Sequence, residues 1–245
     1  MSVGAYWKAA REPRYSITFA IPLLLMYETL SALLSRSAIT GVRNGADVLL
    51  KTLFVVLGGR QGLIAFGVLL CAGAAWLIWR DIKRHPGPLK LGVLAAMLLE
   101  SVVYAGLFGM VVSALTAMLL RAPLMMVVGK GAALPIGTQL IVSLGAGIYE
   151  ELLFRVLLVS GLVGLGAAFG WSRPIAVGTG VVASALIFSA FHYIGPYGDT
   201  LALPSFTFRF IAGLLLSGLF VARGFGITAW THALYDVTFA LVTGF

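Results

Sequence analysis

Nine acidic residues occur in the 245-residue chain, and five of them interrupt stretches that are otherwise apolar: Glu28, Glu100, Glu150, Glu151 and Asp236. Two of the three histidines, His192 and His232, do the same. Ionisable side chains in such surroundings are costly unless they face water, a partner or a reaction, which marks them as candidates for function. The segment GIYEELLFRVLLV (Gly147–Val159) holds two carboxylates and a guanidinium together. On a helix, residues i and i+4 share a face, while neighbours point about 100° apart. Glu151 and Arg155 can therefore pair, with the acid on the favourable N-terminal side, and Glu150 points elsewhere as an available carboxylate. A carboxylate in a low-dielectric site is a candidate general base. LIFSAFHYIG sets Phe188 four residues before His192, so the ring can pack along the imidazole, and THALYDVTF sets His232 four before Asp236. One carboxylate and two histidines from separate helices can activate water by acid–base catalysis. They can also bind a metal, since two His and a Glu form a recognised zinc set. An interhelical polar clamp is the purely structural alternative.

The elements that must carry these residues are membrane helices. The chain is 60% hydrophobic and 11% charged, with a mean hydropathy of +1.01. A soluble domain carries about a quarter charged residues, so the composition predicts an all-α, polytopic transmembrane bundle. Runs long enough to span a bilayer, about 20 residues, fall near Tyr15–Leu34, Gly62–Trp79, Leu91–Leu120, Thr138–Leu165, Ile175–Ile194, Phe206–Ala222 and Ile227–Phe245. A shorter run, Val48–Leu57, is interfacial or an eighth, partial span. Residues 1–245 form one domain of seven to eight spans, and 138–245 carry the motifs. The N-terminal MSVGAYWKAAREPRYS precedes an apolar run too long for a signal-peptide core and lacking a small-residue cleavage site, so it leads an uncleaved first helix. The net charge of +8 sits mostly in short segments between apolar runs, the pattern that orients membrane proteins. Without aromatic–basic interleaving it does not suit nucleic acid. Lys8, Arg11, Arg14, Arg80, Lys83, Arg84, Lys90, Arg173 and Arg223 fall on the N-terminal side. They outweigh Arg36, Arg43, Lys51, Arg60, Arg121 and Lys130, which predicts a cytoplasmic N-terminus in the cell membrane. The lone Cys71 excludes a disulfide framework and a cysteine-based metal site.

Three motifs resemble one known family. Glu150-Glu151-Leu-Leu-Phe-Arg155 fits E-E-x-x-x-R, Phe188-Ser-Ala-Phe-His192 fits F-x-x-x-H, and His232-Ala-Leu-Tyr-Asp236 fits H-x-x-x-[N/D]. Their order and spacing, each motif in an apolar run, resemble the CAAX-protease and bacteriocin-processing family of glutamic-type intramembrane endopeptidases, over roughly Thr138–Phe245. The resemblance implies metal-independent, cofactor-free hydrolysis of a peptide bond in a membrane-associated protein or peptide. It makes Glu150 the base that activates water with help from His192. His232 and residue 236 stabilise the oxyanion, and Glu151, Arg155 and Phe188 support the site. Many members have Asn at the position of Asp236. An ionised Asp only accepts hydrogen bonds and would repel an oxyanion, so Asp236 is expected either to be protonated or to orient His232.

Other intramembrane proteases fit less well. H-E-x-x-H is absent, Asp236 has no second membrane aspartate beside it, and Gly180-Val-Val-Ala-Ser184 lacks a G-x-S context. Two rivals of other classes use the same residues: a proton-coupled transporter, for which no internal repeat is visible, and a non-catalytic binding protein on the same fold. Glu28 and Glu100 are expected to be structural.

Overall fold

The computed structural model describes residues 2–34, 41–121, 135–195 and 198–243. Arg36 and Lys130, both used in the orientation argument, lie outside the described residues. Among those described, the secondary structure is entirely helical: α1 Val3–Ala10, α2 Pro13–Leu34, α3 Gly45–Arg84, α4 Leu91–Leu120, α5 Ile136–Ala168, α6 Arg173–Phe191, α7 Leu203–Arg223 and α8 Phe225–Thr243. The polytopic helical bundle expected from the composition is thus present. Among the described residues six helices, α2 to α7, are long and apolar enough to cross a membrane. The run expected as the last span forms α8, which falls outside that set. It packs against α2, α4, α5 and α7 in the middle of the bundle.

The short run Val48–Leu57 is the first arm of α3, and Gly62–Trp79 lies in the second. They meet at an elbow where Gly58 and Gly59 leave helical geometry, Gly59 at φ 55° and ψ −136°, a conformation open to glycine. The chain folds back there closely enough for the Phe54 and Phe66 rings to lie 5.3 Å apart; a straight helix would separate them by about 18 Å. Only 11% of the most apolar stretch of α3 is buried within the protein. Its exposed Leu69, Trp76 and Trp79 suit contact with lipid.

The core around the motif-bearing helix combines Leu23 and Tyr27 of α2, Leu50 of α3, Ile141, Leu144, Ile148 and Tyr149 of α5, and Ala229 and Ala233 of α8. Gly147 lets α5 and α8 come close, because a Cβ there would run into the Ala229 carbonyl and Ala233. From Ala146 to Val159 the α5 backbone widens into π-helical turns on either side of Glu151. The Ser160 amide, for example, donates to Arg155 O, five residues back. Such bulges are rare and concentrate at functional sites.

The basic segments converge at one end of the bundle. Arg14 donates to the carbonyls of His85 (2.6 Å) and Gly87 (3.2 Å), the Lys90 amide donates to Tyr15 Oη, and Arg223 donates to Trp7 O. Glu100, unassigned from sequence, ties this end together. It accepts from Arg223 Nε and Nη2 at 2.6 and 2.7 Å and from the Tyr6 hydroxyl, a structural role as expected.

Candidate functional site

Glu150 is buried, and its two oxygens have different surroundings. Oε1 accepts a 2.8 Å hydrogen bond from Asn44 Nδ2. Oε2 has no hydrogen-bond partner among the described residues and lies 4.0 Å from His192 Nε2. His192 caps α6 at its C-terminal end, one step outside the helix that the sequence suggested would contain it. Its Nδ1 lies 2.8 Å from the Phe188 carbonyl. A carbonyl only accepts, so Nδ1 carries the proton, and in the neutral ring Nε2 presents a lone pair towards Glu150. A water about 2.8 Å from both atoms would bridge a gap of this width. The side chain of His192 is 25% exposed and that of Glu150 8%, so the histidine forms the open edge of the pair.

Glu151, Arg155 and His232 make a second, closed group. Arg155 Nη1 sits 3.0 Å from Glu151 Oε1, both side chains fully buried, which matches the pairing read from the i,i+4 spacing. The contact lacks hydrogen-bond geometry, since no guanidinium nitrogen of Arg155 makes a hydrogen bond among the described residues. The cation also lies 4.5 Å over the Phe188 ring. The same Glu151 oxygen meets His232 Nδ1 at 2.6 Å. Asp236 stands 3.4 Å from His232 Nε2, so the imidazole lies between two carboxylates, with Glu151 the closer. Phe188 packs between the histidines, 4.8 Å from the His192 ring and 6.2 Å from that of His232. Ser184 is buried with its hydroxyl on the Phe154 carbonyl.

All the expected site residues therefore gather at one place, and the N-terminal half adds members that the motifs do not contain. Asn44 caps α3 through Oδ1, which accepts from the Ala46 amide at 2.9 Å, and this leaves its amide nitrogen for Glu150. The backbone N–H of Asn44 in turn donates to Tyr27 Oη at 3.1 Å, and Tyr27 donates to Asp47 at 2.7 Å. Glu28 accepts from Tyr149 (2.6 Å), Lys51 (3.0 Å) and Arg43 (3.0 Å). Burial opposes the Arg43 cation, but its hydrogen bonds to Asp47 and Glu28 prevail and hold its pKa above the usual arginine range. The one sequence signal for Asn44 is an N-cap residue at the start of an apolar run. Among the described residues, no three His, Cys, Asp or Glu side chains are grouped to hold a metal ion.

Residues 132–238 match the family model described as type II CAAX prenyl endopeptidase Rce1-like. The match agrees with the resemblance carried by the three motifs, and Glu150, His192, His232 and Asp236 lie within the matched residues. Asn44, Tyr27, Glu28 and Asp47 lie outside them. No curated protein and no solved structure matches the chain.

Proposed function

We propose that the protein is an intramembrane endopeptidase that hydrolyses a peptide bond of a membrane-associated protein or peptide by glutamate-activated water, without a metal. The observation that carries this reading is the free Oε2 of the buried Glu150 opposite His192 Nε2, 4.0 Å away. Water between them gives a proton to Glu150 as its oxygen attacks the carbonyl carbon, and His192 orients it. His232 meets the resulting oxyanion through Nε2–H. Because Nδ1 already faces Glu151, that donation requires the doubly protonated ring, and Asp236 beside Nε2 is the counter-charge. As the C–N bond breaks, the proton held by Glu150 passes to the leaving nitrogen. Donors in place before the reaction are the larger share of such catalysis.

The test uses purified protein in detergent with a peptide substrate. Glu150→Gln keeps the shape but cannot take the proton, and loss of a general base costs about 10²–10⁴ in rate. Activity of the parent should also survive exhaustive o-phenanthroline treatment. Near-normal cleavage by the variant removes the glutamate mechanism. Zinc whose removal stops activity, and whose return restores it, removes the metal-free one. A parent that binds the peptide without cutting it is a binding protein.

A further inference from the structure

A cavity of about 590 Å³ lies at the basic end of the bundle, remote from the candidate site. It is walled by the end of α1, the start of α2 and the last turns of α3. Lys8, Arg11, Arg80 and Arg84 line it, against Glu12 and Asp81. The two carboxylates are already engaged: the buried Arg14 lies 2.9 Å from Glu12 and 3.5 Å from Asp81. The four lining cations are exposed and form no ion pair with a carboxylate among the described residues. The cavity therefore presents an excess of positive charge that the protein leaves uncompensated.

Its remaining walls fix its level in the bilayer. Trp7 and Leu77 line it and are 44% and 37% exposed. Arg80 stacks over Trp76 at 5.1 Å and Lys83 over Trp79 at 5.9 Å. Tryptophans gather where hydrocarbon gives way to headgroups, so one wall faces acyl chains and the other faces phosphate. We propose that this cavity binds the headgroup of an anionic phospholipid, with the phosphate between Lys8, Arg80 and Arg84 and an acyl chain against Leu77. Basic pockets between membrane helices suit such ligands. The inference does not depend on the hydrolytic reading of the other site.

Native mass spectrometry of the purified protein, offered phosphatidylglycerol or phosphatidylcholine in mixed micelles, tests it. The parent should retain phosphatidylglycerol in preference, and salt at about 0.5 M should weaken the retention by screening. Each cation near an anionic group contributes about five-fold in affinity. The Lys8→Gln/Arg80→Gln/Arg84→Gln variant should thus lose on the order of 100-fold, while Arg60→Gln, at the elbow of α3, should lose nothing. Equal retention of the two lipids, salt-insensitive retention, or undiminished binding by the folded triple variant overturns the proposal. So does competition by inorganic phosphate at concentrations similar to those of the lipid, which would make the cavity a phosphate site. If the triple variant fails to fold, the lipid comparison and the salt series on the parent still decide.

Discussion

Asn44 does two things at one position, and substitution can separate them. Its Oδ1 caps α3 while its Nδ2 holds Glu150 Oε1, so the free carboxylate oxygen is turned towards His192. Asp is as good a cap as Asn but has no amide donor and brings a second negative charge against Glu150. Asn44→Asp should therefore leave thermal stability in detergent close to the parent while kcat falls by at least ten-fold and KM stays similar. Asn44→Ala, which loses the cap as well, should lose about 1 kcal/mol of stability in addition. Equal kcat in Asn44→Asp and parent would show that the amide merely fills space. The cap is legible in the sequence, and the contact with Glu150 is not. Glu151–Arg155, Phe188–His192 and His232–Asp236 can be paired on paper because each is a local i,i+4 relation. Asn44 and Glu150 are 106 positions apart, and no local periodicity links them. The contact of Glu151 with His232, 81 positions away, is hidden for the same reason.

The motif-bearing helix is legible as a helix but not as a widened one. Apolar spacing in LLFRVLLV suits an α-helical face, and a hydrogen-bond shift of one residue leaves that composition unchanged. The π-helical turns begin beside Gly147, where α8 presses closest, and they set Glu150 and Glu151 towards different partners. Arg155 is the other anchor of this element, with its side chain fully buried. Glu151→Ala strands the buried Arg155 cation, Arg155→Ala leaves Glu151 with His232 alone, and breaking a buried pair costs up to about 3–5 kcal/mol. Both Arg155→Ala and Glu151→Ala should melt well below the parent in detergent. Replacing both together should cost less than the sum of the single losses, because neither charge is then stranded. Additive losses would mean that the two residues act independently. The α3 elbow is legible only in part: the sequence separates Val48–Leu57 from Gly62–Trp79, and the structure joins them in one bent helix at Gly58-Gly59.

The whole molecule has two unlike ends. Tyr193, next to His192, contacts Ser205 near the start of α7, and Arg223 at the far end of α7 contacts Trp7 and Glu100. With a rise of about 1.5 Å per residue, these points are about 27 Å apart. The open edge of the candidate site is thus opposite the basic end. If the basic end faces the cytoplasm, as the distribution of Lys and Arg argues, His192 opens to the other side. Single cysteines in a Cys71→Ser background test the orientation with a membrane-impermeant maleimide. Thr200→Cys, exposed beside α7, should label on intact cells, and Lys83→Cys only after permeabilisation. The reverse pattern would invert the topology and put His192 on the cytoplasmic side.

The bent α3 also bears on how the protein is made. Its first arm delivers Asn44 to a carboxylate synthesised 106 residues later, and Glu151 then waits a further 81 residues for His232. The helices that enter the bilayer first hold only half of the constellation. The constellation is therefore complete only once α8 has docked, and a nascent chain still at the insertion machinery carries Glu150 and Glu151 without their full set of partners.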